Sequence, residues 1–193
     1  MAVIQYVKRQ EKSNLLLLGI SEGEDSARYT VGAELYESLG APDRGESLSD
    51  REMAEIIYAD EEYRAKKKAL SLLALADNNE CNLRRKLLRY GIRREIAEAV
   101  VSEMVGRGYV DEIRQLERLV LREANEALYG KRKILARLVA KGYSLTDVKG
   151  VIARLSECGD VDFLRNRERL IERRLGDGAG EEEVKKLLYK YGY

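Results

Sequence analysis

Three glycines, Gly91, Gly142 and Gly192, stand 51 and 50 residues apart, and each closes a stretch whose apolar residues recur at helical spacing. Around them the chain repeats itself. Ala65–Ile92 aligns without a gap on Leu116–Tyr143, which puts Leu70 on Leu121, Leu83 on Ile134, Leu87 on Leu138 and Leu88 on Val139. The same offset carries Met104 onto Leu155, Gly108 onto Gly159, Val110 onto Val161 and Asp111 onto Asp162. At an offset of 50, Ile134 falls on Val184 and Leu138 on Leu188. A block of this size buries little apolar surface alone, so neighbouring copies are expected to share a core.

Each block reads as three helices. In the first copy they are expected at about Glu61–Ala76, Glu80–Tyr90 and Arg94–Gly106. The second helix presents Leu83, Leu87 and Leu88 on one face, and Gly91 supplies the left-handed residue that ends it. The third carries Ile96, Val100, Val101 and Met104 at helical spacing, with Gly108 beyond. Pro42 is the one proline of the chain, as long helices require.

The head of the chain reads differently. Val3–Lys8, Asn14–Ile20 and Ala27–Val31 lean to strand, with turn-forming Ser21–Ser26 between the last two. Val31–Leu39 reads as a short helix stopped at Gly40, and Ser49 with Glu52 forms a capping box for the next helix. The predicted fold class is mainly α: tandem three-helix repeats preceded by a small α/β N-terminal module. The expected division is residues 1–60 for that module, 61–112 and 113–162 for two full repeats, and 163–193 for an incomplete third.

Composition narrows the chemistry. The chain has no histidine, so Ser-His-Asp or Cys-His catalysis and His-containing metal sites cannot be built. Cys81 and Cys158 lie far apart and read as ordinary thiols of a reducing compartment. Met1–Gln10 lacks the pattern of a signal peptide and Leu15–Leu18 is too short to span a bilayer, so a cytoplasmic protein is expected. Asp160 and Asp162 form a D-x-D that reads as a helix cap rather than a metal site. Gly176, Gly178 and Gly180 read as a linker, because no strand precedes them and Glu181–Glu183 would repel phosphate. No enzyme, cofactor, metal or small-molecule substrate is expected.

Charge is unevenly spread. Residues 1–60 hold six Lys and Arg against twelve Asp and Glu, whereas residues 61–193 hold 29 against 22. Arg84, Arg85, Lys86 and Arg89 cluster on the second helix of the first block, with Arg93 and Arg94 just beyond. Lys131, Arg132, Lys133, Arg137 and Lys141 occupy the matching helix of the second, the last three at i, i+4, i+8. Such cations suit either a solvated face or a positive strip for an anionic partner. Tyr189, Tyr191 and Tyr193 alternate near the end and read as packing residues before base-stacking ones.

In order and spacing these motifs resemble the RecX family. The resemblance rests on Leu87-Leu88-Arg89-Tyr90-Gly91-Ile92, Leu138-Val139-Ala140-Lys141-Gly142-Tyr143 and Gly108-Tyr109-Val110-Asp111-Glu112. Tyr129-Gly130-Lys131-Arg132-Lys133-Ile134 is similar to the basic start of the family's second helix. Gln115 stands where the family has an aromatic residue, which implies looser packing there. The resemblance implies an elongated, curved array that binds the groove of the RecA–single-stranded DNA filament. It would thereby modulate, in the inhibitory direction, RecA ATP hydrolysis, filament extension and strand exchange in recombinational repair and the SOS response. The basic strip implied for that contact is Arg84, Arg85, Arg89, Arg93, Arg94, Lys131, Arg132, Lys133, Arg137 and Lys141. The partners expected are the RecA filament and single-stranded DNA, with no membrane. The alternatives are a helical-repeat nucleic-acid-binding module or a protein-interaction scaffold independent of RecA.

Overall fold

The computed structural model describes residues 1–11, 13–176 and 178–193. The chain divides into two units, Met1–Leu72 with Lys86–Glu103, and Leu73–Arg85 with Met104–Tyr193. Helices dominate and a small antiparallel sheet lies at the N-terminus.

In the first unit, strands β1 (Ala2–Arg9), β2 (Leu15–Glu22) and β3 (Asp25–Gly32) form a meander, and β4 (Ser47–Leu48) pairs with β1. The sheet order is β3-β2-β1-β4. The two-residue β4 has too few positions to show alternation, and sequence reading missed it. Leu16, Leu18 and Ile20 point to one side of β2, which turns inward beside Ile4 and Val31, while Gly19 on the other side is covered by the Tyr6 ring. That face is covered by α1 (Ala33–Ser38) and α2 (Asp50–Leu75), whose Ile56 is fully buried among the strand residues.

Ser49 starts α2 through a reciprocal capping box, its backbone N–H donating to Glu52 Oε2 at 2.7 Å. The Glu52 N–H returns a bond to Ser49 Oγ at 3.3 Å. The Ser49 backbone N–H and, after it, the Ser49 hydroxyl, both donating to Glu52 Oε2, hold the Glu52 carboxyl below its ordinary value. Nothing between Asp50 and Leu75 breaks the helix, so the helix expected from Glu61 begins at Asp50 and residue 60 lies inside it. There Asp60 is buried and fastens the sheet to the helix: it accepts the Thr30 backbone N–H at 2.8 Å and pairs with Arg64.

Five further helices follow α3 (Glu80–Arg89) and α4 (Arg94–Gly106): α5 (Glu112–Asn125), α6 (Lys131–Ala140), α7 (Leu145–Glu157), α8 (Phe163–Leu175) and α9 (Glu181–Tyr191). In the second unit, Leu116, Val120 and Ala124 of α5 meet Ile134 and Leu138 of α6 and Val148, Val151, Ile152 and Leu155 of α7. Helices α3 and α6 each have ten residues and α4 and α7 thirteen. Each helix of either pair begins 51 residues after its counterpart.

The helix ends follow the glycines. Gly91, Gly142 and Gly192 take φ of +79°, +92° and +85°. After each, the next N–H reaches back to the helix: Ile92 to Leu87 O at 3.3 Å, Tyr143 to Leu138 O at 3.2 Å and Tyr193 to Leu188 O at 3.0 Å. Helix starts use acids, with Asp111 accepting from Arg114 N–H and Asp162 from Leu164 and Arg165 N–H. That is the capping role expected of Asp162. Gly176 and Gly178 take positive φ ahead of α9, while Asp177 between them lies outside the described residues.

Two side chains differ from expectation. Leu88 was expected on the buried face of α3 but is 36% exposed, since Leu83 and Leu87 alone point inward. Gln115 leaves no loose packing: it is buried, accepts the Tyr143 hydroxyl at 3.0 Å and donates to Asn78 O at 3.3 Å. Hydrogen bonds there take the place of an aromatic ring.

Candidate interaction surface

Helix α6 carries three cations, Lys131, Arg132 and Lys133, in its first turn, where the positive end of a helix dipole disfavours them. The structure resolves the conflict by seating the C-terminus of α9 on the same spot. Gly130 N–H donates to Tyr191 O at 2.8 Å and Arg132 N–H to Gly192 O at 3.2 Å. Lys133 Nζ reaches Lys190 O at 3.0 Å. The cations therefore also stand at the negative end of α9, which favours them.

Aromatic rings hold their side chains. Lys133 Nζ lies 4.3 Å from the Tyr129 ring centre and 5.0 Å from that of Tyr191, and the two rings are 5.6 Å apart. Arg132 sits 5.0 Å over Tyr189, and Lys131 5.2 Å over Phe163. Neither Tyr129 nor Phe163 was expected beside these cations, and no local pattern marks that pairing.

The C-terminal end of α6 is anchored by a buried acid. Glu123 on α5 accepts Arg137 Nε at 3.0 Å and stands 3.6 Å from Lys141 Nζ. The Glu123 carboxylate raises the Arg137 guanidinium above its ordinary value. Arg137 and Lys141 are thus tied to the core through their charged heads, although their side chains stay partly exposed. The Lys141 carbonyl then meets the start of α3: Asn79 Nδ2 donates to it at 3.0 Å and Asn82 Nδ2 at 3.3 Å. Asn79 Oδ1 also caps α3 by accepting Asn82 N–H at 2.8 Å, and Glu112 Oε1 accepts Glu80 N–H at 2.7 Å. Burial raises the Glu112 carboxyl.

Helix α9, helix α6 and the first residues of α3, up to Arg85, therefore follow head to tail within the second unit. The structure brings Lys131, Arg132, Lys133, Arg137 and Lys141 onto one helix whose end adjoins the turn carrying Arg84 and Arg85. Both arginines are exposed; Arg84 has no partner among the described residues, and Arg85 reaches only Asn82 Oδ1, at 3.3 Å, and Cys81 Sγ, at 3.5 Å. Arg89, Arg93 and Arg94 belong to the first unit. Arg93 is engaged there, pairing with Glu61 and lying 5.6 Å over Tyr58, while Arg89 and Arg94 are exposed without an ion pair among the described residues. Cys81 and Cys158 are free thiols. No helix among the described residues is long and apolar enough to cross a membrane.

The chain is thus a mainly helical protein with a band of cations seated on aromatic rings. No family model matches the chain. Curated relatives do: the Regulatory protein RecX of Stenotrophomonas maltophilia (strain K279a) is 32% identical over 117 residues, which is 61% of this chain and 68% of that one. The Regulatory protein RecX of Xanthomonas campestris pv. campestris (strain B100) is 31% identical over 131 residues, 65% of this chain and 78% of the relative. The fold agrees. A crystal structure of regulatory protein RecX superposes with a TM-score of 0.74 at 18% identity, covering 100% of this chain and 95% of that one. The RecX structure from Lactobacillus salivarius gives 0.60 at 17% identity, over 70% and 90%. The chain belongs to the RecX family of regulatory proteins.

Proposed function

We propose that this chain regulates the RecA–single-stranded DNA filament by lying along its groove, and that it restrains ATP hydrolysis, filament extension and strand exchange. The reading makes it a cytoplasmic factor of recombinational repair and the SOS response. The observation that carries it is the head-to-tail run of α9, α6 and α3, each started or ended by the next, with cations along it. Equal helix lengths at a 51-residue spacing support tandem repeats, with residues 61–112 and 113–162 as full copies and 163–193 as a partial one. A curved array of such copies, following a module at residues 1–60, matches a partner that is itself periodic. Several weak contacts in series then give avidity without a deep pocket.

Within the strip, two kinds of cation are distinguished. Arg84, Arg89 and Arg94 are exposed and free to meet carboxylates or phosphates. Lys133, Arg137, Lys141 and Arg93 serve the fold first. The test is RecA ATP hydrolysis on single-stranded DNA with and without the chain. Inhibition that weakens when Arg84, Arg89 and Arg94 are reversed to Glu is expected, and no change at stoichiometric excess overturns the reading.

The same free cations favour a second reading, a helical-repeat module that binds nucleic acid independently of RecA. It predicts tight DNA binding without RecA, weakening by about 0.7 in log K per log salt for each phosphate contacted on a single strand.

A further inference from the structure

Beside the α9–α6 joint, whose Arg132 and Gly192 help to line it, the second unit carries an open groove of about 950 Å³ among α6, α7, α8 and α9. Its floor is apolar, made by Leu135, Ile152, Leu188 and Tyr193, and Leu164 stands on its edge 72% exposed. Its rim is cationic: Lys131, Arg132, Lys149, Arg167 and Lys185 line it, with no carboxylate lining it among the described residues. An apolar trough ringed by one sign of charge is complementary to an apolar stripe flanked by the other.

The unit itself shows what fits such a trough. One step earlier in the chain, α7 lies against α5 and α6 and buries Val148, Val151, Ile152 and Leu155 beside Leu138 and Tyr143. Those four residues form an i, i+3, i+4, i+7 stripe. At the 50-residue offset, Leu138 corresponds to Leu188 and Tyr143 to Tyr193. Leu138 is fully buried and Tyr143 nearly so, whereas Leu188 and Tyr193 are half-buried and face the groove. The Tyr193 hydroxyl is buried without a hydrogen-bond partner among the described residues, while that of Tyr143 is bonded to Gln115.

We infer that this groove seats an amphipathic helix of a partner protein, its apolar stripe on Leu135, Leu164 and Leu188 and its flanking carboxylates on Lys149, Arg167 and Lys185. The inference rests on the repeat correspondence proposed above, and it adds a docking site of defined chemistry that shares only Lys131 and Arg132 with the α6–α3 strip. A protein helix is favoured over a nucleic acid strand because the floor is largely aliphatic. The rings beside it are also occupied: Phe163 and Tyr189 already carry Lys131 and Arg132 over their faces, leaving little room for stacked bases.

The test uses the full chain and a fluorescein-labelled synthetic helix of about four turns, with Leu on the i, i+3, i+4, i+7 stripe and Glu on both flanks. Saturable binding is expected, about tenfold tighter than for the same peptide with Lys in place of Glu. Leu164→Asp and the pair Lys149→Glu with Arg167→Glu change exposed side chains, so circular dichroism should stay unchanged while affinity falls about tenfold for each. Equal binding of the acidic and basic peptides, or affinity untouched by both variants, overturns the proposal. So does displacement of the peptide by oligothymidylate, or dimers in sedimentation that Leu164→Asp abolishes, since each assigns the groove another occupant. Peptide binding by a chain that leaves RecA hydrolysis unchanged would remove the filament reading and keep this one. A chain that restrains RecA but ignores the peptide does the reverse.

Discussion

Where α6 ends, its Lys141 carbonyl is taken up by side chains, the amides of Asn79 and Asn82 at the start of α3. Where α9 ends, its Tyr191 and Gly192 carbonyls are taken up by backbone, the N–H groups of Gly130 and Arg132 at the start of α6. Both joints satisfy carbonyls that a helix terminus leaves unpaired, and both set a negative helix end on a positive one. Their tolerance differs. Side chains stand between α6 and α3, and they can shift. At the α9–α6 joint the chains touch backbone to backbone, which requires that neither carry a Cβ there.

The largest effect is therefore expected at the backbone joint. A Cβ on Gly130 would fall 2.3 Å from Gly192 O, and one on Gly192 would fall 2.4 Å from Lys133 N. Gly192 also holds φ at +85°, which L side chains avoid. Gly130→Ala or Gly192→Ala should cost on the order of 3 kcal/mol locally and release α9. Hydrogen exchange reads this directly: α9 amides should exchange about a hundredfold faster while the sheet amides hold. Unchanged protection in α9 would mean that the two helices are not docked through these atoms.

At the side-chain joint the same substitution should be milder. Gly142 has φ of +92°, and an added Cβ would meet Cys81 Cβ and Sγ at 2.9 Å. The Cys81 Sγ can rotate away while its Cβ, fixed on the α3 backbone, needs only a slight shift of that helix, so Gly142→Ala should cost about 1–2 kcal/mol in urea unfolding, mostly from the backbone. Cys81→Ala should recover a few tenths of a kcal/mol or more of that cost in a double-mutant cycle. Equal costs in both backgrounds would show that Cys81 does not confine the joint. Smaller again is Asn79→Ala, which removes the α3 cap and one of the two bonds to Lys141 O, for about 1 kcal/mol. A cost near zero would assign the capping to Glu112 alone.

Much of this was legible in the chain. Helices α3, α4, α6 and α7 announce themselves by apolar pairs one turn apart ahead of a glycine that can go left-handed, and those signals are local. The continuity of α2 was less so, because Ser49–Glu52 marks one start and the repeat alignment suggests another at Glu61, with no breaker to arbitrate. The cations were found by composition, but their employment was not. Arg137 is committed to Glu123 fourteen residues away and Arg93 to Glu61 thirty-two residues away, separations at which no periodicity applies. The aromatic seats of Lys131 and Lys133 also depend on α8 and α9 folding back. A positive strip read from sequence therefore mixes residues that serve the fold with residues open to a partner.

Tyr143 and Tyr193 carry the comparison to its finest point, for they occupy matching positions one step apart. The Tyr143 hydroxyl donates to Gln115 at 3.0 Å, and Tyr143→Phe should cost about 1 kcal/mol by leaving a buried amide short of a donor. The Tyr193 hydroxyl is buried with no partner among the described residues, so Tyr193→Phe should be neutral or stabilising by up to about 1 kcal/mol. Opposite signs from the same chemical change would confirm that only one of the two sites is completed. Alkaline titration gives a second reading. Burial raises the Tyr193 phenol from 10.0 to about 12, so the folded state favours its neutral form. That contribution is fully present below pH 10 and is lost as pH climbs from there through about 12, when the unfolded chain ionises first. Tyr193→Phe should therefore flatten the loss of stability across that window, and an alkaline unfolding profile identical to that of the parent chain would place the hydroxyl in water.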